Sequence, residues 1–338
     1  MIGINKDSQQ TKMILTKFYT HIENFFNIHS RNQNPKNDND RSKLQKIVRR
    51  NSGTLYGQMF NYFQNHFKEV IIAEPLNLKS KQENMLATVG YDDSDDNHKE
   101  QFQRFKTTMT NYYSSFFQEK IIENGSQISI GRWLSSSLDL SVCPFCNHNY
   151  TITVNDYKGG IKVKPDFDHF FPKSKYPLVA LSFYNLIPIC NTCNKLKGNK
   201  EILQNPYDDS HARPTFRLYG KNDKMKLKLL GLGDNYNDIE IFPETEYTKA
   251  NPESCNITQL GLKQIYNHQK DYVQDLLDKA QQYNKPSYEG LVNSFKGLGK
   301  TEAEIDRIIW GTYLDDHSKR PLSKLTHDLL IQLGLKNG

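Results

Sequence analysis

Apolar residues recur at steps of three and four along much of the first 123 residues. This spacing places them on one face of a helix. It predicts helices over Thr11–Ser30, Lys43–Ile72 and Lys99–Glu123, with a break in the second near Ser52 and Gly53. Aromatic residues on such stripes are more typical of a hydrophobic core than of a binding site.

Two polar segments separate these predicted helices. Arg31–Arg41 is rich in Asn, Asp and Arg, a composition typical of a loop. Lys79–Asn97 is polar and acidic, which predicts a mobile connection. Together the pattern predicts a mostly helical N-terminal lobe over residues 1–135.

The pattern changes in the second half of the chain. Thr215–Tyr219, Lys226–Leu230 and Ile239–Phe242 are short runs bounded by Gly, Asn and Asp, which predicts strands. Helical spacing then returns, with one helix predicted through Leu260–Leu277 and others through Ile305–Tyr313 and Leu325–Leu333. We therefore expect residues 206–338 to form short strands followed by helices.

The glycine-rich run Ser294–Lys300 looks at first like a phosphate-binding loop. It lacks the G-x-x-x-x-G-K-[ST] spacing of that motif. It is followed by Thr301 and, three residues later, Glu304, which is the pattern of a capping box. The run therefore predicts a turn before a helix.

Composition places the chain among folded proteins. Hydrophobic residues make up 36% and aromatic residues 12%, and disordered chains are poorer in aromatics. No run of about eighteen apolar residues is present, so no membrane-spanning helix is expected. The N-terminus has no apolar segment of the secretory type, which predicts a cytoplasmic protein.

The net charge of +6 is concentrated in one part of the chain. Residues 158–200 contain eight Lys, no Arg, two Asp and no Glu, so this segment alone carries an excess of +6. A lysine-rich segment often forms an ordinary solvated surface. It is also the charge that a nucleic-acid partner requires.

Four of the five cysteines form two C-x-x-C pairs, Cys143 with Cys146 and Cys190 with Cys193. The pairs are 43 residues apart, and Cys255 stands alone. Two residues between cysteines let both thiolates reach one ion, and two such turns complete a tetrahedral zinc site. Four thiolates leave no open position on zinc, so this metal is predicted to be structural.

The segment between the two cysteine pairs carries the candidate chemistry. Ile161–His169 and Asn185–Cys190 predict two strands, and Asn191–Ile202 predicts a helix. The second cysteine pair ties the start of this helix to the strands. This arrangement is expected to bring four side chains into one cleft: Asp168, His169, Asn185 and Asn194.

Residues 142–199, about a sixth of the chain, resemble the HNH endonuclease family, whose pattern is D-H-x-x-P, then N-L, then C-x-x-C-[HN]-x-x-K. The last position of the HNH triad is Asn in this chain, as in the HNH domain of RNA-guided CRISPR nucleases. The matching residues are Asp168, His169, Pro172, Asn185, Leu186, Cys190, Cys193, Asn194 and Lys197.

The resemblance implies an α+β fold with a zinc-stapled ββα-metal core over residues 136–205, flanked by mostly helical regions. It also implies a role for each residue of the cleft. His169 would be the general base, Asp168 and Asn194 would hold one divalent ion, and Asn185 would brace the loop that orients the histidine. Oxygen donors favour Mg²⁺ or Mn²⁺, and either Lys173 or Lys197 would contact the scissile phosphate.

These features predict a metal-dependent endonuclease that hydrolyses phosphodiester bonds in nucleic acid, with DNA as the expected substrate. The loose similarity to the HNH component of Septu-type and retron-linked antiphage systems implies a defence role beside an ATPase. Two alternatives stay open from the sequence: a non-catalytic zinc-dependent nucleic-acid-binding module, and a protein that recruits a partner through its helical lobes.

Overall fold

The computed structural model describes most of the chain. The described residues are 1–28, 41–155, 161–210, 213–220, 239–245, 249–253, 255–283 and 285–337. The predicted strand Lys226–Leu230 and residues 31–40 of the predicted loop lie outside them. No described helix combines the length and the apolar character that crossing a membrane requires.

The N-terminal region is mostly helical in its described part. They are α1 (Gln9–Phe26), α2 (Lys43–Arg50), α3 (Leu55–Asn65), α4 (Phe67–Ile71), α5 (Leu78–Thr88) and α6 (Asp96–Gln118). Ser8, Ser42, Thr54 and Asp95 begin four of them by accepting a hydrogen bond from a backbone N–H of the first turn. The predicted break near Gly53 is present, and Gly53 has a φ of 84° that only glycine adopts readily.

The prediction of a mobile connection over Lys79–Asn97 is wrong. Most of this segment is helix α5, in which Leu78, Gln82 and Met85 are buried. These positions have the spacing of a buried helix face, but one of them is the polar residue Gln82, which interrupts the apolar pattern. The polar composition hid a helix whose stability comes from packing against its neighbours.

The predicted helix Lys99–Glu123 also ends earlier than expected. Strands β1 (Lys120–Glu123) and β2 (Ser126–Ser129) form an antiparallel hairpin after α6. Asn124 and Gly125 connect them with φ angles of 50° and 74°. An Asn-Gly pair between two short strands is a strong hairpin signal, because both turn positions need positive φ.

The middle of the chain holds short elements with two pairs of strands. They are α7 (Ile130–Leu138), β3 (Val154–Asn155), β4 (Ile161–Val163), β5 (Asp166–His169), β6 (Leu186–Ile189) and α8 (Asn191–Lys197). β3 pairs with β4 and β5 pairs with β6, both antiparallel. The single strand predicted over Ile161–His169 is split in two, with Pro165, which has no N–H to donate to a sheet, in the interruption.

The C-terminal region begins with strands β7 (Thr215–Gly220) and β8 (Ile239–Glu244), where the sequence predicted strands, and the two pair antiparallel. Six further helices are described: α9 (Asn256–Gln259), α10 (Leu262–Asn267), α11 (Lys270–Gln282), α12 (Lys285–Gly297), α13 (Glu302–Trp310) and α14 (Ser323–Gln332). The predicted helix through Leu260–Leu277 is two helices, α10 and α11, and Gly261 with a φ of 58° lies between α9 and α10. Thr301 and Glu304 form the predicted capping box.

Two hydrophobic clusters organise these elements. The first joins the N-terminal helices to the segment around the cysteines, for example where Phe18 of α1 meets Phe183 with ring centroids 5.4 Å apart. The second lies among β7, β8 and the C-terminal helices around Trp310. The division at residues 135 and 205 stays a prediction, and the first cluster extends across residue 135.

The C-terminal helices attach to the chain at Asn147, directly after the first cysteine pair. The Asn147 side chain donates to the His317 carbonyl (2.8 Å) and accepts from the Lys324 N–H (3.0 Å). Its backbone carbonyl accepts from the Leu322 N–H (2.7 Å). Asn147 is fully buried, so these hydrogen bonds are protected from water.

A pair of imidazoles lies beside this attachment. His317 Nε2 and His327 Nδ1 are 3.0 Å apart, a hydrogen bond that needs one neutral ring as acceptor. Burial first, and then the charge of His327, lowers the pKa of His317 to about 4. Burial also lowers the pKa of His327. Both rings are therefore neutral in the folded protein at neutral pH.

We predict that the His317–His327 pair contributes a decrease in the free energy of unfolding as the pH falls from about 6.5 to about 4. A histidine whose folded pKa is depressed binds its proton more readily when unfolded, so acid favours the unfolded state. The loss should be roughly 1 to 2 kcal/mol, allowing for solvent screening. Urea unfolding at several pH values measures it. His317→Gln should reduce this slope relative to the unmodified protein, and equal slopes would contradict the prediction.

Candidate metal centre and cleft

The two C-x-x-C pairs form one buried group, which we call the cysteine cluster: Cys143, Cys146, Cys190 and Cys193. Their sulfur atoms all lie within 4.8 Å of one another, and those of Cys146 and Cys190 are 3.9 Å apart. A tetrahedral zinc site with bonds of about 2.3 Å has sulfurs about 3.8 Å apart. No disulfide joins the described cysteines. The cluster therefore suits a metal ion such as zinc.

Backbone N–H groups point at the sulfurs of the cysteine cluster. The N–H of His148 lies 3.4 Å from Cys146 Sγ, and the N–H of Cys193 lies 3.4 Å from Cys190 Sγ. Donors in this position stabilise the thiolate form that binds metal. The His148 ring instead bonds Asn149 (3.0 Å). Among the described residues, the cysteine cluster is the one group of three or more His, Cys, Asp or Glu positioned to share an ion.

The cysteine cluster connects three distant parts of the chain. The first pair follows α7, and the second spans the end of β6 and the first turn of α8. The Ile2 N–H donates to the Pro144 carbonyl between the first two cysteines (2.8 Å). The Tyr266 hydroxyl of α10 donates to the Cys146 carbonyl. A metal bound here would fix β6, α8, the N-terminal segment and α10 relative to one another.

Strand β5 and helix α8 face each other through two pairs of polar residues. Asp166 and Asp168 alternate on β5, so their side chains share a face. Asn194 and Lys197 are three residues apart on α8, so they share a face as well. The Asn194 amide donates to Asp166 (3.0 Å), and the Lys197 ammonium lies 2.9 Å from an Asp168 carboxylate oxygen.

The Asp168–Lys197 pair is buried. Lys197 has no exposed surface and also donates to the His169 carbonyl (2.7 Å). Burial raises the pKa of Asp168 to about 6, although the Lys197 charge acts in the opposite direction. The carboxylate is thus still mostly ionised at neutral pH, and the pair compensates two charges that would be costly to bury alone.

His169 lies at the end of β5 and is 7% exposed. Its Nε2 is 3.0 Å from the Ala180 carbonyl, and a carbonyl can only accept, so Nε2 carries the proton. Burial, followed by the charge of Lys173, lowers the pKa of His169 to about 3. The imidazole is therefore neutral at physiological pH, with Nδ1 as its unprotonated nitrogen.

Asn185 braces the chain between His169 and the turn that contains Ala180. Its amide nitrogen donates to the carbonyls of Val179 (2.9 Å) and Phe171 (3.2 Å). Its amide oxygen accepts from the Phe171 N–H (2.7 Å). Asn185 is fully buried, so these bonds hold the two ends of the segment 171–179 together.

The two lysines predicted to bind phosphate differ in position. Lys173 is partly exposed, and its ammonium lies 4.7 Å from the Tyr113 ring centroid. Burial lowers its pKa. Lys197 faces inward on Asp168, so its predicted phosphate contact is not formed by this arrangement.

Three features around Asp168 and His169 were not predicted from the sequence. Asp166 lies outside the HNH pattern, although its i, i+2 spacing from Asp168 puts both on one face. The Ala180 carbonyl is a backbone group, so no side-chain pattern in the sequence indicates its contact with His169. Tyr113 lies on α6, more than fifty residues before the motif, and its pKa is raised by burial and then by the charges of Asp168 and Asp166.

We predict that the purified protein contains one zinc ion per chain and that Cys190→Ser lowers its melting temperature strongly. A structural zinc contributes folding free energy on the order of 10 kcal/mol. Elemental analysis and thermal unfolding test this. Cys255→Ser is the matched control, since Cys255 is buried but outside the cysteine cluster. A metal-free protein with an unchanged melting temperature would refute the assignment.

We also predict that Asn185→Ala lowers the free energy of unfolding by about 1 to 3 kcal/mol, because it strands buried backbone groups of Phe171 and Val179. Amide hydrogen exchange at Phe171 should accelerate more than exchange elsewhere. Asn199→Ala serves as the control, since Asn199 is exposed and, among the described residues, its side chain accepts only a 3.4 Å bond from the Ser174 hydroxyl. Equal effects of the two substitutions would argue against the brace.

Comparison with curated proteins found a similarity to the Septu protein PtuB of Bacillus thuringiensis. The two sequences are 33% identical over 86 residues, which is 23% of this chain and 34% of that protein. The similarity thus spans about a third of the relative's length. No family model matches the chain, and no solved structure matches it.

Proposed function

We propose that this protein is a metal-dependent endonuclease of the HNH type that hydrolyses phosphodiester bonds, with DNA as its substrate. The observation that carries the proposal is the hydrogen bond from His169 Nε2 to the Ala180 carbonyl. It leaves Nδ1 as a proton acceptor at the end of strand β5. The same strand carries the carboxylates of Asp166 and Asp168.

His169 would act as the general base. Its Nδ1 would take a proton from the water that attacks the phosphorus, as the neutral ring is ready to do. The pKa of about 3 describes the cleft without substrate. A bound phosphate brings negative charge, which stabilises the imidazolium and raises this pKa toward the working pH.

A divalent ion fits the donors beside His169. Asp166 and Asp168 offer carboxylate oxygens and Asn194 an amide oxygen, a set that suits Mg²⁺ or Mn²⁺. One Asp168 oxygen is buried without a hydrogen bond, although the Lys197 ammonium is close to it. The ion would supply charge neutralisation at the phosphate and the leaving oxygen. Lys197 would hold the Asp168 carboxylate in place.

Lys173 is the better candidate of the two lysines for the phosphate. In the described part of the chain it forms no ion pair, whereas Lys197 is committed to Asp168. An ammonium beside the base would attract the phosphate as a point charge. The lysine-rich segment 158–200 would add sequence-independent attraction to the nucleic-acid backbone.

The similarity to a Septu protein supports a role in antiphage defence. We extend this proposal to a cytoplasmic effector that acts beside an ATPase subunit, as the resemblance implies. The shared region covers about a third of the relative, so this partner is part of the proposal.

We predict that His169→Ala reduces DNA cleavage by about 10² to 10⁴ while fold and zinc content stay intact, because a general base typically contributes this much. Asp168→Ala and Asn194→Ala should lose activity through weaker ion binding, so high Mn²⁺ should partly rescue Asn194→Ala and not His169→Ala. Cleavage of plasmid DNA, single-stranded DNA and RNA with Mg²⁺ or Mn²⁺ measures this.

His66→Ala is a matched control for this experiment. His66 also bonds a backbone carbonyl, that of Tyr62 (3.0 Å), and stacks on the Tyr62 ring, but it belongs to the N-terminal helices. It should leave cleavage unchanged. If His169→Ala cuts as well as the unmodified protein, the mechanism is refuted. Salt-sensitive DNA binding without ion-dependent cleavage would favour the non-catalytic binding module.

A further inference from the structure

Helix α6 of the N-terminal region reaches the candidate cleft through Tyr113. The ring centroids of Tyr113 and His169 are 4.5 Å apart, with their planes at 67°. The Lys173 ammonium lies 4.7 Å from the centroid of the same tyrosine ring. One side chain from outside the motif segment thus contacts both the proposed base and the proposed phosphate-binding lysine.

We propose that Tyr113 is a positioning residue of this site: its ring fixes the orientation of the His169 imidazole and holds the Lys173 ammonium beside it. The proposal rests on the nuclease function proposed above. The Ala180 carbonyl holds one nitrogen of His169, and a ring held at one atom can still pivot. The edge-type contact with Tyr113 restricts that pivot, since tilted ring pairs of this kind are favourable.

Tyr113 has a second effect, on Lys173. A lysine side chain has many rotamers, and ordering it for phosphate binding costs conformational entropy. An ammonium over an aromatic face is attracted by the ring, which favours rotamers that keep it there. Lys173 would therefore already lie beside His169 when the phosphate arrives. Preorganisation of this kind favours catalysis because less ordering remains for the bound state.

The other support of His169 also depends on the N-terminal helices. The 3₁₀ turn Pro177–Leu181, which contains Ala180, packs against α4, α5 and α6. The Leu178 N–H donates to the buried Gln82 side chain of α5 (2.9 Å), and the Ser182 hydroxyl donates to the Val70 carbonyl of α4 (2.6 Å). The N-terminal helices therefore hold His169 on two sides, through this turn and through Tyr113.

The ring of Tyr113, and not its hydroxyl, makes these contacts. Within the described residues the hydroxyl forms no hydrogen bond, and burial, followed by the charges of Asp168 and Asp166, raises its pKa. Tyr113→Phe should therefore keep the site intact, whereas Tyr113→Leu should loosen it. Tyr112→Leu is the matched control, because Tyr112 is the next residue of α6 but packs on Phe26, with ring centroids 5.0 Å apart.

Nuclear magnetic resonance of the protein labelled at histidine tests the contact without any need for cleavage. In the unmodified protein, nuclear Overhauser effects should connect the ring protons of Tyr113 and His169. Tyr113→Leu should shift the His169 ring signals toward those of an unstructured peptide, while Tyr113→Phe and Tyr112→Leu should not. Absence of the Overhauser effect in the unmodified protein would overturn the proposal, even if the leucine variant does not fold.

Steady-state cleavage kinetics test the consequence. Tyr113→Leu should lower kcat by about tenfold to a hundredfold with a smaller change in KM, because misplacement of a reacting group mainly affects the transition state. Tyr113→Phe should keep kcat close to that of the unmodified protein. A general loss of stability would not explain this difference between the two variants. The positioning role would be overturned if a folded Tyr113→Leu variant showed the change in the His169 ring signals but kept an unchanged kcat. If the protein cleaves no nucleic acid, the resonance experiment still decides the contact.

Discussion

Two turns of the chain, 43 residues apart, must bring four sulfur atoms within reach of one another. The rest of the candidate site depends on this constraint. One turn lies after α7. It is hydrogen-bonded to the N-terminal segment through Pro144 and to the C-terminal region through Asn147 and Tyr266. The other turn begins α8, the helix whose polar face covers β5. A metal at the cysteine cluster would thus set the distance between the proposed ion-binding residues without taking part in the chemistry.

The face between β5 and α8 has its own constraint, because it buries charge. Asp168 and Lys197 compensate each other in a place where either alone would be costly. Asp166 and Asn194 form the more exposed pair next to them. This difference in exposure matters for the proposed chemistry. The Asp166–Asn194 hydrogen bond is nearer to solvent, so a cation can replace it more easily than it can replace the buried Asp168–Lys197 ion pair. The buried pair also ties α8 to the backbone of His169 through the Lys197 ammonium.

The N-terminal helices belong to the same hydrophobic cluster as the cysteine region, and this shared core explains how they can influence the cleft. Their contacts with the 3₁₀ turn and with His169 join a region without any recognisable motif to the residues that carry the motif. In such an arrangement, removing the helical region would expose the apolar side chains of this shared core. The predicted boundary at residue 135 marks a change in sequence pattern and does not separate two independent cores.

The sequence by itself identified the cysteine cluster, the strand pairing of Asp168 and His169 with the segment after Asn185, and most helices with a clear apolar stripe. These features follow from local spacing: two residues between thiolates, alternation along strands, and steps of three and four along helices. Local spacing could not reveal helix α5, where a buried glutamine breaks the stripe, or the inward turn of Lys197 onto Asp168. Nor could it show that the Ala180 carbonyl and Tyr113 meet His169. Those contacts join residues far apart in the chain, and only the packing of the N-terminal helices on the turn at 177–181 brings them together.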